Sequence, residues 1–361
     1  MTMSFSRPSS YREYVGNPHV HSVYSDGAAT YRQIGRAAAQ AGLDFVIVTD
    51  HNVRPEGLEG FYDGVLVLSG EELHNVRADP QRDHLLVFGT EREMAPYAFG
   101  PASTLIQAAN SFQGIVYIAH PVERSSRLSP DLAAIPWTSW PPVGIQGMEI
   151  WNYMSEFKGL LWCRLVALLY ALWPELGIRG PYRATLRLWD ELLGQGYRVA
   201  ALGGADAHGQ EYRWGPLKPT ILPYQRLFRG VNTHILTRQP LSGEDVARDK
   251  ALVYEALRAG RTWAAYDRPH STRGFQCLFR SDVAVAFPGE SLRRLGALQI
   301  HVGLPAPGTI ILRRDGKTIR RSRGRQLLLT TEEPGTYRIE VYRRYLGRRV
   351  GWIFPSPIYV T

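Results

Sequence analysis

Short apolar runs with no polar face recur through this chain: Phe45-Val46-Ile47-Val48, Val65-Leu66-Val67-Leu68, Leu85-Leu86-Val87-Phe88, Ile115-Val116-Tyr117-Ile118-Ala119 and Val199-Ala200-Ala201-Leu202. Side chains of a strand alternate between its two faces, so an unbroken apolar run must be covered on both. Gly147-Met148-Glu149-Ile150 is a further candidate of the same kind. Helical patterns lie between the runs, at residues 31–41 behind the cap-like Thr30, at 104–111 and at 184–193. This alternation predicts a parallel sheet wrapped by helices. Six or seven such units in one run favour a closed or nearly closed β/α barrel over an open sheet.

Most of these runs end on residues that ligate metals: Asp50-His51, Gly70-Glu71-Glu72, Ala119-His120-Pro121 and, after Gly203-Gly204, Asp206-Ala207-His208. The C-terminal strand ends are where barrel chemistry sits. In His19-Val20-His21 the period of two places both imidazoles on one side, so one cation can take both, and Asp206-Ala207-His208 repeats that geometry with a carboxylate. Ser25-Asp26-Gly27 is a turn able to return a carboxylate to the same cavity near His51. Glu72, two residues beyond Gly70, has two oxygens with which to bridge two cations, while Glu71 should point away. A single histidine at a strand end is more often a packed or surface residue than a ligand. An ordered series of them is not explained that way.

The ordered set resembles the polymerase and histidinol phosphatase family, the PHP domains, over about residues 17–210. His19-Val20-His21-Ser22 with Ser25-Asp26-Gly27 is similar to the family's first motif and Thr49-Asp50-His51-Asn52 to its second. Gly70-Glu71-Glu72 resembles the strand end bearing the bridging glutamate, His84 and His120 are the next histidines, and Gly204-Ala205-Asp206-Ala207-His208 resembles the last motif. Trp151-Asn152, Trp189-Asp190-Glu191 and residues 352–359 resemble a subgroup of metal-dependent phosphoesterases related to carbaryl hydrolase. The resemblance implies a distorted seven-stranded β/α barrel with two or three divalent metals, zinc, manganese or iron. It implies that His19, His21, Glu72 and Asp206 hold one metal, Glu72, His84 and His120 a second, and Asp26, His51 and His208 a third. Asp26 stands where some relatives have histidine, a hard oxygen ligand that shifts preference toward manganese or iron. Asp50 and Asn52 are expected behind the ligands, orienting imidazoles through their free N–H groups.

Such a site implies phosphoesterase chemistry on a mono- or diester, with a water bridging two cations deprotonated near neutral pH and the metals neutralising the phosphoryl oxygens. No protein nucleophile is then needed; Gly-x-Ser-x-Gly is absent, and neither cysteine adjoins a motif histidine. The expected substrate is a small phosphate ester or nucleotide. Arg124 and Arg213 are candidate phosphate contacts, although an exposed arginine is more often a surface charge. A carbamate or carboxylic ester hydrolase using the same metals is the alternative, and a noncatalytic binding module is a third reading that loss of ligands would have signalled. Glu149 either faces the site mouth or has a helix-capping or structural role. His74, His234, His270 and His301 match no motif and are read as structural.

The net charge of +9 is localised. Residues 269–361 carry sixteen Lys and Arg against six Asp and Glu, so the metal-rich part is close to neutral. The arginine pairs suit phosphates or an acidic surface, yet no RNA-binding aromatic signature or zinc-finger spacing accompanies them, and a solvated basic face is the plainer reading. After Asp267-Arg268-Pro269 the texture becomes β-rich, with Asp315-Gly316 as a hairpin signal. Residues 1–268 are therefore expected to form the hydrolase domain and 269–361 a small accessory β-sandwich. Two distant cysteines and no export-like N-terminal stretch point to a reducing, cytoplasmic setting. The apolar segment 160–173 is interrupted by Arg164 and is too short to span a bilayer; it reads as surface-seeking, while the aromatic-rich stretch 151–173 is more often packing, its place after a candidate strand also suiting a lid.

Overall fold

The computed structural model describes residues 11–209, 220–294 and 296–361. The fold is mixed α/β. The expected strands form, but not as one parallel ring. One sheet has five strands in the order Glu71–Leu73, Leu85–Phe88, Ile115–Ile118, Gly147–Asn152 and Ala200–Gly204. The other has fourteen, and its first half runs Gly60–Tyr62, Val65–Ser69, Phe45–Val48, Arg12–Asn17, Val231–Thr237, Thr262–Tyr266. Parallel pairs join Arg12–Asn17, Phe45–Val48 and Val65–Ser69, and also the last three strands of the smaller sheet. Glu71–Leu73 and Leu85–Phe88 pair antiparallel, the segment between them containing no crossover helix, and Leu85–Phe88 also pairs antiparallel with Ile115–Ile118 although helix Ala102–Ser111 lies between those two.

The two sheets are not closed by a ladder. At one junction the chain passes through Gly70, whose N–H donates to Val48 O at 2.7 Å, and continues beside His51, Glu72 N donating to Asp50 O at 3.2 Å. At the other, side chains replace the ladder: Gly203 N donates to Thr233 Oγ1 at 2.9 Å, and that hydroxyl donates to Gly203 O at 2.6 Å. A Cβ on Gly203 would lie 2.8 Å from that of Ala264, so the close approach of the sheets requires glycine here.

The helices match their signals. Tyr31–Ala41 starts at Thr30 in a capping box with Gln33 and ends at Gly42 with φ 82°. Ala102–Ser111 and Arg183–Gly194 cover the regions expected at 104–111 and 184–193.

The C-terminal strands do not form a sheet of their own. Arg348–Pro355 pairs antiparallel with Thr262–Tyr266, so the larger sheet runs on through Gly335–Tyr345, Leu298–Arg314 and Gln276–Arg280. The Asp315-Gly316 turn has φ 49° and 74°, the two positive values a tight two-residue hairpin demands. A second hydrophobic core around Phe279, Ile300, Ile339 and Trp352 serves this half. Buried Arg338 fastens it to helix Arg183–Gly194 by a bidentate pair with Asp190, 2.7 and 2.8 Å.

Candidate metal centre

All nine residues anticipated as ligands converge at one end of the strands. Two segments paired by a bridge at Val20 and Ala207 bring in four of them: His21 N donates to Ala207 O at 2.9 Å, and Asp206 N to His19 O at 2.9 Å. A second bridge, His51 to Glu72, sets the next pair. His84, just before Leu85–Phe88, and His120, two residues past Ile115–Ile118, come from the smaller sheet, and Asp26 comes in on the turn at residues 22–27.

Glu72 is the hinge of the arrangement. Its Oε2 lies 3.1 Å from His19 Nε2, 3.1 Å from His21 Nε2 and 3.3 Å from His51 Nδ1. Its Oε1 lies 2.7 Å from His84 Nδ1 and 3.0 Å from His120 Nε2. Asp206 Oδ1 is 3.1 Å from His21 Nε2, and Asp26 Oδ2 is 3.2 Å from His208 Nε2. These atoms sort into groups able to hold cations: His19, His21, Glu72 and Asp206; Glu72, His84 and His120; His21, Asp26, His51 and His208. His21 Nε2 is buried and forms no hydrogen bond despite two carboxylates at 3.1 Å. A buried, unpartnered imidazole nitrogen grouped with carboxylate oxygens suits a divalent ion among hard oxygens and imidazoles.

The burial of so many titratable groups sets their protonation. Burial alone would push His21 and His120 down, but the carboxylates of Asp206 and Glu72 beside His21, and of Glu72 beside His120, outweigh it and leave both at about 9. His19 is likewise raised, the carboxylates of Asp206, Glu149 and Glu72 offsetting burial. Burial raises Glu72, yet His19, His51 and His84 hold it well below the carboxylate range. His51 falls to about 3 through burial, with the neighbouring His21 adding to the drop. Two ligands sit on unusual backbone, His120 with φ 27° and Asp206 with φ 55°, conformations that a side-chain-bearing residue keeps only when its surroundings enforce them.

Behind the ligands the structure departs from expectation. Asp50 orients no imidazole: it accepts from Ser22 N at 2.7 Å and from the hydroxyls of Ser22 and Ser25 at 2.6 Å each, pinning the turn that carries Asp26. Asn52 does reach an imidazole, that of His74, through Nδ2 at 3.3 Å. His74 was read as structural, but its ring stacks on His84 at 4.3 Å and, with His51 and His84, it forms a further group able to hold a cation. The signal was its period-two relation to Glu72. Glu71 points away as expected, accepting from Met94 N at 2.9 Å.

Glu149 is buried at the site rather than at its mouth. It lies 3.1 Å from His19 Nδ1 and accepts from His120 N at 3.0 Å and Asn152 Nδ2 at 2.9 Å, while Asn152 also donates to Asp206 at 3.3 Å. One carboxylate thus fixes the ring of one ligand and the backbone of another. Replacing Glu149 with glutamine is expected to weaken metal binding by about 10- to 100-fold, the usual cost of losing the group that orients a ligating histidine. Metal titration against a competing chelator measures it, and an unchanged affinity would contradict the role.

A cavity of about 240 Å³ opens over the cluster, with Asp26, His51, Glu72, His84, His120, Asp206 and His208 on its floor. Its walls are mainly apolar, including Ile135, Met154, Phe157, Leu161 and Leu222. Lys158 is the cation on that wall among the described residues, and it is engaged by Glu123 at 2.6 Å. Arg124 is not on the wall; its guanidinium packs 4.6 Å from the ring centre of Tyr182. Arg213 lies outside the described residues.

No family model matches the chain, and no curated protein does. Among solved structures it is similar to a two-domain protein containing a predicted PHP-like metal-dependent phosphoesterase from Bacteroides vulgatus ATCC 8482. That similarity has 15% identity and a TM-score of 0.42, over 96% of each chain. A protein proposed to be a metal-dependent phosphoesterase from Bifidobacterium adolescentis ATCC 15703 matches 54% of this chain and 87% of its own, at 16% identity and a TM-score of 0.35.

Proposed function

We propose that this chain is a PHP-type metal-dependent phosphoesterase hydrolysing a small phosphate ester. The observation that carries the reading is Glu72, one oxygen facing His19 and His21 and the other facing His84 and His120, a carboxylate placed to be shared by two cations. Zinc, manganese or iron held there would acidify a water and neutralise charge on the phosphoryl oxygens. The chain's own contribution is positional: Glu149 holds His19, Asp50 holds the Asp26 turn, and the apolar wall excludes water from one side of the cavity. In this reading the two sheets up to residue 268 form a distorted barrel around the cluster, and residues 269–361 are an accessory β half.

The wall supports a second reading. Its cation, Lys158, is already paired with Glu123, so the described cavity lining offers no unpaired lysine or arginine to clamp a phosphate dianion. A carbamate or carboxylic ester hydrolysed at the same metals brings no such charge and needs no such clamp.

The test is hydrolysis of aryl phosphate mono- and diesters, with an aryl carbamate and an aryl carboxylate alongside, after loading with manganese or zinc. Wild type is compared with His120→Ala and Asp206→Ala. Phosphate release lost in both variants is the expected result. Turnover of carbamate or carboxylate alone selects the second reading, and silence with metal bound overturns both.

A further inference from the structure

Helix Arg164–Leu172 presents its apolar stripe to water. Leu165, Leu168, Leu169 and Leu172 follow the i, i+3, i+4, i+7 spacing of a helix face, and all four are exposed, Leu165 by 77%. Trp162 and Trp173, exposed by 62% and 55%, flank the helix at its two ends. The opposite face, through Ala167 and Tyr170, packs on the core, so the stripe is not turned outward for want of a buried side. An apolar face of this size on a surface marks an interaction site.

The surroundings say what covers it. Residues 161–188 contain four arginines, 164, 179, 183 and 187, all exposed, and one acid, Glu175, which Arg226 and Arg268 already engage at 3.0 and 3.1 Å. Next to this segment stands the hairpin of Gly335–Tyr345 and Arg348–Pro355: Arg348 donates to Leu176 O, and Gly351 N donates to Arg179 O at 2.7 Å. Leu346, 53% exposed, lies at its tip with Arg344, Arg348 and Arg349 around it. Two neighbouring elements therefore combine exposed leucines with arginines that have no acidic partner, and tryptophans flank the helix. That combination belongs to a segment lying in the headgroup layer of an anionic bilayer: leucines enter the acyl boundary, tryptophans settle at the polar interface and arginines meet lipid phosphates. The helix has nine residues, and no described helix is long and apolar enough to cross a membrane.

We propose that helix Arg164–Leu172 and the arginine hairpin together form a docking surface for an anionic lipid membrane. The helix continues from the wall of the metal cavity, Leu161 lining that cavity and Trp162, the next residue, facing outward. Docking does not depend on the phosphoesterase reading and is measured without it.

The experiment is co-sedimentation of the whole protein with vesicles of phosphatidylcholine alone and of phosphatidylcholine mixed equally with phosphatidylglycerol. Wild type is run beside L165S/L172S and R344E/R348E, with circular dichroism to verify folding and light scattering to measure mass. Wild type is expected to sediment with the anionic vesicles and, at low salt, far less with the neutral ones. L165S/L172S should lower the partition by about tenfold or more for the pair. R344E/R348E should remove the preference for anionic lipid and its salt dependence. No binding by wild type at low salt overturns the proposal. So does a wild-type dimer that does not bind vesicles and that L165S/L172S converts to monomer, which would make the leucine stripe a contact between copies.

Discussion

Glu72→Gln is expected to lower hydrolysis by on the order of 1,000-fold or more, because charge neutralisation by bound metals is worth several kcal/mol and each 1.4 kcal/mol is a factor of ten. Glutamine keeps the shape but has one neutral oxygen where two charged ones face five imidazoles. Both cation groups that share Glu72 lose their common ligand at once, so metal content should fall with activity. The control is the adjacent residue. Glu71 points the other way and accepts from Met94 N, so Glu71→Gln should leave metal content intact and activity within a few-fold of wild type. Elemental analysis and steady-state rates on the two variants decide the matter. A full metal complement in Glu72→Gln, or equal losses in both variants, would refute the bridging role.

That contrast between neighbours was readable beforehand, since a strand's period of two assigns Glu71 and Glu72 to opposite sides without any structure. Sidedness also placed His19 with His21 and Asp206 with His208. It can reveal which residues share a face, but not which faces meet. The pairing of the 19–21 and 206–208 segments through Val20 and Ala207, and the reach of Glu149 to both His19 and His120, depend on tertiary approach across sheets. The misplaced role of Asp50 has the same origin: the motif shows it beside His51, but its carboxylate turns back to Ser22 and Ser25. The barrel expectation went too far for another reason. Apolar runs report burial on both faces and are blind to strand direction and to closure, so antiparallel pairing at Leu85–Phe88 and the side-chain junction at Thr233 left no trace in them. The hairpin at Asp315-Gly316 was legible because a two-residue turn imposes its own chemistry.

Loading the metal-free protein with zinc at pH 7.5 is expected to release about three protons, because a cation must take lone pairs that His19, His21 and His120 otherwise commit to protons. The same protons govern stability without metal. His21 and His120 are raised to about 9 in the folded chain, so their contribution is complete below about pH 6.5 and is lost as pH climbs through about 9, and His19 is shifted in the same direction. Glu72 and Asp206 are shifted the other way, so theirs is present above the ordinary carboxylate range and lost on acidification below it. The metal-free thermal midpoint should therefore fall steadily from pH 6.5 to 9. The loaded protein should hold its midpoint over that range, since the ion supplies the positive charge that the departing protons removed. Proton release read with an indicator in weakly buffered solution should decline above pH 9 as His21 and His120 enter the titration already neutral. Release of fewer than one proton at pH 7.5, or parallel stability curves for the two forms, would mean that zinc does not occupy the two groups that contain His19, His21 and His120.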